Sequence, residues 1–339
     1  MNKLKSGRID WLITLAPFII IMILAGVLFI FPEQSNNIIG QVRFFFGDTL
    51  GIYYLVIGLG VLLISIFLSF SKCGNVVLGE PDEKPKYSFF AWGSMMFTCG
   101  LAADILFYSF AEWVMYATKP HIEELGSIAE WAGVFPLFRW CFIPWAFYLV
   151  LAVVFGFMLH VRKKNRQRYS EACRPIIGKH ADGILGRIID LFALFALLAG
   201  TATTFSVATP LMAAIIVELF GITISRTVVT IIILLITCAV YTYAVLHGFK
   251  GISFLAKLCI YLFFGLLVVV LLCGGQGRFI IENGFQSLGK MIQNFIELST
   301  YTDPSRTSNF AQDWTIYYWA YWMVWSIAAP FFIGNISRG

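Results

Sequence analysis

The stretch GIYYLVIGLGVLLISIFLSF, from Gly51 to Phe70, decides the fold class of this chain. It carries no charged side chain and has the roughly 20 residues that a helix needs to cross a hydrocarbon core about 30 Å thick. In lipid the backbone amides and carbonyls have no water to bond, so such a segment satisfies them internally as a helix. The stretch therefore predicts a transmembrane α-helix.

Composition extends this prediction to the whole chain of 339 residues. Hydrophobic residues make up 59% and charged residues only 13%, whereas a soluble domain has about 25% charged residues. The mean hydropathy is +0.80. The seven cysteines form no C-x-x-C pair, and the four histidines are scattered, so no metal motif is present. We predict an all-α polytopic membrane protein with neither a metal nor a nucleic-acid partner.

Apolar segments of sufficient length predict eight spans, and the third to fifth are long enough to indicate tilt or a break. The spans cover residues 11–31, 51–70, 88–117, 132–160, 187–220, 228–246, 252–273 and 310–334.

Basic residues alternate between the loops. They are concentrated in the N-terminal tail, after the second span and, most densely, between Arg162 and Arg187 after the fourth span, whereas the loop after the third span is acidic. Cytoplasmic loops carry the excess of Lys and Arg, so the N-terminus and the even-numbered loops are predicted to be cytoplasmic in an inner or plasma membrane. The run 162–168 also suits contact with anionic lipid, although a purely topogenic role is the simpler interpretation.

Residues 279–299, between the seventh and eighth spans, place apolar side chains at near-helical spacing. This pattern predicts an amphipathic helix on the outer surface. A re-entrant loop or a helix that docks on the protein fits the pattern equally well.

Asp104 is the sharpest signal among the ionisable residues, because it lies midway along the third span. A buried carboxylate must be paired, protonated or solvated. Gly100 and Ala102 precede it and permit local unwinding, as in the interrupted helices of transporters. We expect Asp104 to be a counter-charge for a cationic substrate, a proton carrier, or both. The alternative is a structural partner of a hydroxyl group or of Arg139.

Aromatic residues give a second signal. In the eighth span Trp314, Tyr318, Trp322 and Trp325 share one helical face, and the fourth span holds Trp140, Trp145 and Tyr148. Interfacial aromatics would lie at helix ends only, whereas these continue into the core. Stacked rings form cages for quaternary ammonium groups. Aromatic packing between helices is the alternative.

Small hydroxyl residues in the fifth span, from Gly200 to Ser206, suit either ion coordination or helix packing, and packing is the more common role.

Three motifs resemble the betaine–choline–carnitine transporters, which are secondary carriers of quaternary ammonium compounds. The most specific is DWTIYYWAYW, from Asp313 to Trp322. The segment ISRG at 336–339 and the lead-in at 80–89 to the third span are also similar to the family. The resemblance extends from the first span to the last residue.

The resemblance implies a twelve-helix, inverted-repeat fold similar to that of the leucine transporter. Residues 1–70 would then hold a tail and two peripheral helices, residues 88–273 the first five-helix repeat, and residues 310–334 the first helix of the second repeat, with 279–299 as the outer amphipathic helix. The sequence stops after the eighth helix, so we expect most of the second repeat to be truncated. Such a chain is not expected to transport unaided.

The resemblance also implies the site. It assigns the central aromatic box to Trp140, Trp145, Tyr148 and Trp322, with Trp325 beside it. Gly100, Ala102 and Asp104 occupy the three positions of a glycine-rich stretch, which implies a helix break there. Tyr321 stands in place of a usual Trp, and Arg139 in place of a usual His.

Family members with Asp at the position of Asp104 carry choline and are proton-coupled, which favours a choline-like substrate with coupling through Asp104. Sodium–betaine symporters have Gly there, while the segments 208–211 and 301–304 are more similar to carnitine exchangers, so a sodium-coupled betaine symporter and a carnitine/butyrobetaine exchanger remain alternatives. A non-transporting binding fragment is a further alternative. Nothing in the sequence indicates an enzyme, because no nucleophile–base or metal cluster is present. The family implies a homotrimer.

Overall fold

The computed structural model describes residues 11–164, 166–221 and 223–339, apart from the side chains of residues 12, 101–106 and 110. Within these ranges the regular structure is entirely helical. The fifteen α-helices are α1 (Trp11–Ile30), α2 (Pro32–Phe44), α3 (Gly51–Phe70), α4 (Phe89–Ala117), α5 (Pro120–Leu125), α6 (Ile128–Arg139), α7 (Phe142–Gly156), α8 (Tyr169–Ile177), α9 (Ile184–Phe220), α10 (Arg226–Leu246), α11 (Gly248–Cys273), α12 (Gly277–Gln293), α13 (Phe295–Thr300), α14 (Tyr317–Trp325) and α15 (Pro330–Ile336).

Short irregular helices join several of these elements. Three are π-helical turns, at Phe45–Thr49, Phe157–Val161 and Gln312–Ile316, and two are 3-10 turns, at Lys72–Asn75 and Gly178–Asp182.

The membrane spans agree with the all-α polytopic prediction. Six segments of the described chain are long and apolar enough to cross a membrane, and the bent pair formed by residues 312–325 and 330–336 makes a seventh. The third predicted span coincides with α4, whose 29 residues extend about 43 Å at 1.5 Å per residue. Four of the seven spans fall within residues 88–273, and α4 is a fifth long helix there, which is the number that the predicted first repeat requires; the repeat relation itself stays a prediction.

Two spans are broken: the fourth predicted span, which is one of the three whose length indicated tilt or a break, and the eighth, for which no break was predicted. Helix α4 runs without interruption through Gly100 and Ala102, so the expected break there is wrong. One glycine costs a helix only about 1 kcal/mol relative to alanine, and alanine is the best helix former. The breaks lie instead between α6 and α7 and between α14 and α15. At the second break the axes of the two segments, 312–325 and 330–336, differ by 59°.

A proline follows each break closely, although proline alone is not sufficient, because Pro210 lies inside the continuous helix α9. Pro144 and Pro330 have no amide hydrogen for the carbonyl four residues earlier, at Trp140 and Ser326. The chain leaves the helical path at these two places.

Helix α12 docks on α6 through polar and small groups. Lys290 Nζ lies 2.5 Å from Glu130 Oε2, and Gln286 donates to Glu130 Oε1 at 2.6 Å. Met291 is buried, whereas Phe285 on the other side is 77% exposed. The segment predicted at 279–299 is therefore two helices separated at Asn294, and its packing corresponds to the docking alternative with an apolar side left outward.

The core lies where α3, α6, α7, α14 and α15 meet. Trp319, only 1% exposed, packs over Gly58 of α3 so closely that a Cβ at Gly58 would lie 2.6 Å from the indole ring. Gly334 of α15 approaches the backbone of Gly156 in the same way, with its Cβ position 2.8 Å from the Gly156 amide nitrogen. Glycine at these positions brings the helices together around the large rings.

Candidate functional site

The break between α6 and α7 positions Trp140. Helix α6 ends at Arg139 and α7 begins at Phe142, so Trp140 and Cys141 form the connection. The amide of Trp140 still donates to the carbonyl of Pro136 at 3.1 Å. Trp140 thus closes the last turn of α6, and its indole points toward the neighbouring spans.

Four aromatic residues predicted to form a box meet at this break. The Trp140 and Trp322 rings have centroids 5.2 Å apart and lie nearly perpendicular, at 77°. Tyr148 meets Trp322 at 6.0 Å and 68°, and Trp145 meets Tyr148 at 6.0 Å and 45°. Tyr148 and Trp322 are each only 1% exposed. Rings from the α6–α7 connection, α7 and α14 therefore converge inside the protein and away from lipid.

A buried ion pair holds Trp140 in place. Glu112 of α4 accepts a hydrogen bond from Trp140 Nε1 at 2.7 Å on one carboxylate oxygen and from Arg139 at 2.9 Å on the other. Both charged side chains are about 4% exposed. A charge pair in this setting is favourable only when its remaining hydrogen-bonding positions are used, and the indole uses one of them. Arg139 was predicted as a possible partner of Asp104, and the structure pairs it with Glu112.

Two tyrosines extend the box on the side of this ion pair. Tyr108 of α4 lies 6.0 Å from the Trp140 ring, and its hydroxyl accepts from that of Tyr318 at 3.1 Å. The Arg139 guanidinium lies 4.2 Å from the centroid of the Tyr108 ring. Sequence analysis did not assign Tyr108 or Glu112 to the site. Their spacing on α4, at i and i+4, is the signal that would have placed them on one face.

Trp325 borders the box at its other end. Its Nε1 donates to the carbonyl of Gly100 at 3.3 Å. Gly200 of α9 lies directly against its ring, because a Cβ at Gly200 would overlap the indole. Gly100 itself faces Tyr148, whose ring would be in ordinary contact with a Cβ there at 3.7 Å. Gly200 therefore lets α9 approach Trp325 closely, whereas Gly100 contributes its carbonyl as the acceptor for Trp325.

One hydroxyl residue of α9, Thr204, lies next to Tyr321 at this end of the box. Tyr321 and Thr204 place their hydroxyl oxygens 3.4 Å apart. Thr201 and Thr203 donate to carbonyls of their own helix at 2.8 and 2.9 Å. A hydroxyl engaged in this way keeps its oxygen as an acceptor.

The predicted role of Asp104 concerns a side chain that lies outside the described residues. Its backbone is part of the continuous helix α4, four residues after Gly100. The coupling role of Asp104 therefore stays a prediction.

The ring faces of the box are chemically suited to attract a cation. Indole and phenol faces attract a cation within about 6 Å of the ring centroid, and the neighbouring Glu112–Arg139 pair adds no net charge. Trp322 Nε1 is buried and has no hydrogen-bond partner among the described residues. A buried unpaired donor costs about 1–3 kcal/mol, so a ligand oxygen placed there would remove that cost.

Comparison with known proteins gives two matches. A sequence model described as the betaine/carnitine/choline family transporter matches residues 12–339. The glycine betaine transporter OpuD of Bacillus subtilis (strain 168) is 30% identical over 315 residues, which cover 91% of this chain and 61% of that protein. The chain thus spans about three-fifths of the length of this curated relative.

Proposed function

Because this chain belongs to the betaine/carnitine/choline family of transporters, we propose that it takes part in secondary transport of a quaternary ammonium compound. The convergence of Trp140, Trp145, Tyr148 and Trp322 supports this proposal. A desolvated contact between a cation and a ring face contributes about 2 kcal/mol. Rings also lack the acceptors that a primary ammonium group needs, so the box favours a trimethylammonium group. As a member of a transporter family, the chain is not an enzyme.

A competition panel tests the substrate class. Purified chain in detergent is loaded with a radiolabelled quaternary compound and challenged with choline, glycine betaine, carnitine and their primary-amine counterparts. We expect each trimethylammonium compound to displace the label at least tenfold more effectively than its amine counterpart, since one lost contact of about 2 kcal/mol exceeds the ~1.4 kcal/mol per tenfold change. Equal displacement by the amines would reject the box as a receptor for quaternary ammonium.

Within this class we favour a choline-like cation and proton coupling through Asp104. A carboxylate in the middle of a span offers a counter-charge to a choline-like cation, which has no carboxylate of its own. In proteoliposomes Asp104→Asn should abolish uptake driven by a pH gradient while the variant still binds substrate. Asp190→Asn is the matched control, because Asp190 already accepts two hydrogen bonds from Ser170. Uptake that keeps its pH dependence in the Asp104 variant would remove the proton role.

Sodium-coupled betaine symport is the second candidate, because the curated relative is named as a glycine betaine transporter. Uptake that requires sodium and ignores the pH gradient would favour it. Exchange of carnitine for butyrobetaine without any ion gradient would indicate an exchanger. Binding without uptake would indicate a binding fragment. The homotrimer and the cytoplasmic N-terminus stay predictions that cross-linking and accessibility labelling can test.

A further inference from the structure

A second cavity lies apart from the aromatic box. It is a cleft of about 830 Å³ between the end of α3, α7 with its π-helical turn, and α8. None of the box residues lines it. It opens on the side of the basic loop after α7, which the positive-inside rule predicts to be cytoplasmic.

The walls of the cleft are apolar along the depth of one leaflet. Leu149, Val153 and Phe157 line it from α7 and the following turn, and Leu68 and Leu78 face them from the other side. From Leu149 to Arg162 the chain rises about 20 Å at 1.5 Å per residue. A leaflet contributes about 15 Å of hydrocarbon, half of the roughly 30 Å core, so the cleft reaches from the headgroup level toward the bilayer centre.

The mouth of the cleft is basic. Arg162, Lys164 and Arg174 line it together with a single acidic residue, Glu171. Arg174 engages Glu171 through two hydrogen bonds of 2.8 Å, and this guanidinium holds the pKa of Glu171 below its usual range. The Glu171 carboxylate therefore stays ionised, and the charge of Arg174 compensates its negative charge. Arg162 and Lys164 form no ion pair within the part of the chain that the structure describes.

We propose that this cleft is a binding site for an anionic phospholipid of the leaflet on the Arg162 side. The headgroup phosphate lies between Arg162 and Lys164, and one acyl chain lies along Leu149, Val153 and Phe157. Arginine binds phosphate with paired N–H groups and lysine as a point charge. The apolar depth excludes free phosphate as the occupant, because a small anion would leave the apolar walls unfilled.

Titration with phosphatidylglycerol tests the headgroup end. Purified chain in detergent is titrated with phosphatidylglycerol or phosphatidylcholine, and bound lipid is counted by native mass spectrometry. Each basic side chain near an anionic headgroup changes affinity roughly fivefold. The double variant Arg162→Gln/Lys164→Gln should therefore bind phosphatidylglycerol about 25-fold more weakly.

The double variant Lys179→Gln/Arg187→Gln is the control, because it loses the same charge from exposed residues that do not line the cleft. Its affinity should stay within about twofold of the unmodified chain, within the spread of a surface effect. An equal loss in this control, or equal affinity of the unmodified chain for phosphatidylcholine, overturns the proposal.

A second pair of variants tests the acyl-chain end with the charges intact. Val153→Trp fills the cleft, whereas Val268→Trp adds the same bulk to an exposed position of α11 that does not line it. Only the first should lower phosphatidylglycerol occupancy. Unchanged occupancy in the Val153 variant would reject the cleft as the site, and circular dichroism confirms that both variants remain helical.

Discussion

The broken span at residues 128–161 and the unbroken helix α11 show how differently two equally apolar segments behave. In the apolar 18-residue stretch of the broken span 44% of the residues are buried within the protein, whereas in that of α11 only 11% are. Helix α11 is at least as apolar as the broken span. Lipid tails are as apolar as leucine, so apolarity alone gives no reason for one helix to pack on another.

What distinguishes the broken span is its partners. It carries Trp140 and Arg139, which share the Glu112 carboxylate as their hydrogen-bond acceptor. The helices around it have glycines, Gly58 and Gly200, against which large aromatic rings pack. In contrast, α11 offers Gly265, around which no atom lies within 4 Å of a Cβ position. Close packing in this protein therefore depends on polar partners and on pairs of a glycine with a large ring.

Removing Glu112 should have the largest effect on this difference. Glu112→Ala leaves Arg139 buried without its counter-charge, and breaking a buried pair on one side costs about 3–5 kcal/mol. We expect a large fall in the free energy of unfolding, measured by denaturant titration in detergent. The control is Glu282→Ala, whose pair with Arg278 is exposed and contributes under about 1 kcal/mol. Similar losses of unfolding free energy in the two variants would mean that the buried ion pair contributes no more to stability than the exposed one.

Trp322 should matter next, through binding. Trp322→Leu removes one ring face from the box, worth about 2 kcal/mol, so affinity for a trimethylammonium compound should fall at least tenfold in equilibrium dialysis. Trp11→Leu, at a position that is 62% exposed on α1, should leave affinity unchanged. If the Trp322 variant binds as tightly as this control, the rings are packing residues only.

Two glycines of α3 provide a smaller and sharper test. Gly58→Ala would force the Trp319 ring aside, whereas Gly60 has no atom within 4 Å of its Cβ position. Overpacking costs about 1–3 kcal/mol, and the gain in helix propensity of up to ~1 kcal/mol offsets part of it. We expect a net loss of about 1 kcal/mol at Gly58 and none at Gly60, measured as shifts in Tm. Equal shifts of Tm in the two variants would show that Trp319 does not pack against Gly58.

The smallest effect should come from outside the membrane. Arg174 lowers the pKa of Glu171 and of Asp182 by hydrogen bonding. A lowered pKa gives stability above the unfolded value of about 4 that is lost as the pH falls through the folded value. Arg174→Gln should therefore lower Tm slightly at pH 7, and the difference from the unmodified chain should shrink as the pH falls below about 4. A difference that stays constant as the pH falls through the acid range would show that the carboxylates are not its source.

Much of this architecture could be predicted from sequence. Length and apolarity located the spans, because a bilayer imposes one thickness on every helix. The aromatic rings that now meet in the box were predicted together through Trp140, Trp145, Tyr148 and Trp322, since the motif that carries Trp322 is specific. Helical periodicity predicted that the segment 279–299 is amphipathic.

The rest depended on distances between segments that no local pattern contains. Arg139 pairs with Glu112, 27 residues earlier on another helix, and nothing in either stretch specifies that choice over Asp104. A break was expected at Gly100, whereas the observed breaks lie next to Pro144 and Pro330, where a missing amide removes a hydrogen bond outright while a glycine only weakens the helix. Sequence alone does not choose these prolines, because Pro210 lies inside the continuous helix α9.

The break between α14 and α15 leaves one carbonyl to an outside partner. The Tyr169 hydroxyl at the start of α8 donates to the carbonyl of Ile327. The Tyr169 phenol thus connects α8 to the bend between α14 and α15. The link involves none of the four rings of the box, so Tyr169→Phe would free the Ile327 carbonyl without changing any contact among those rings.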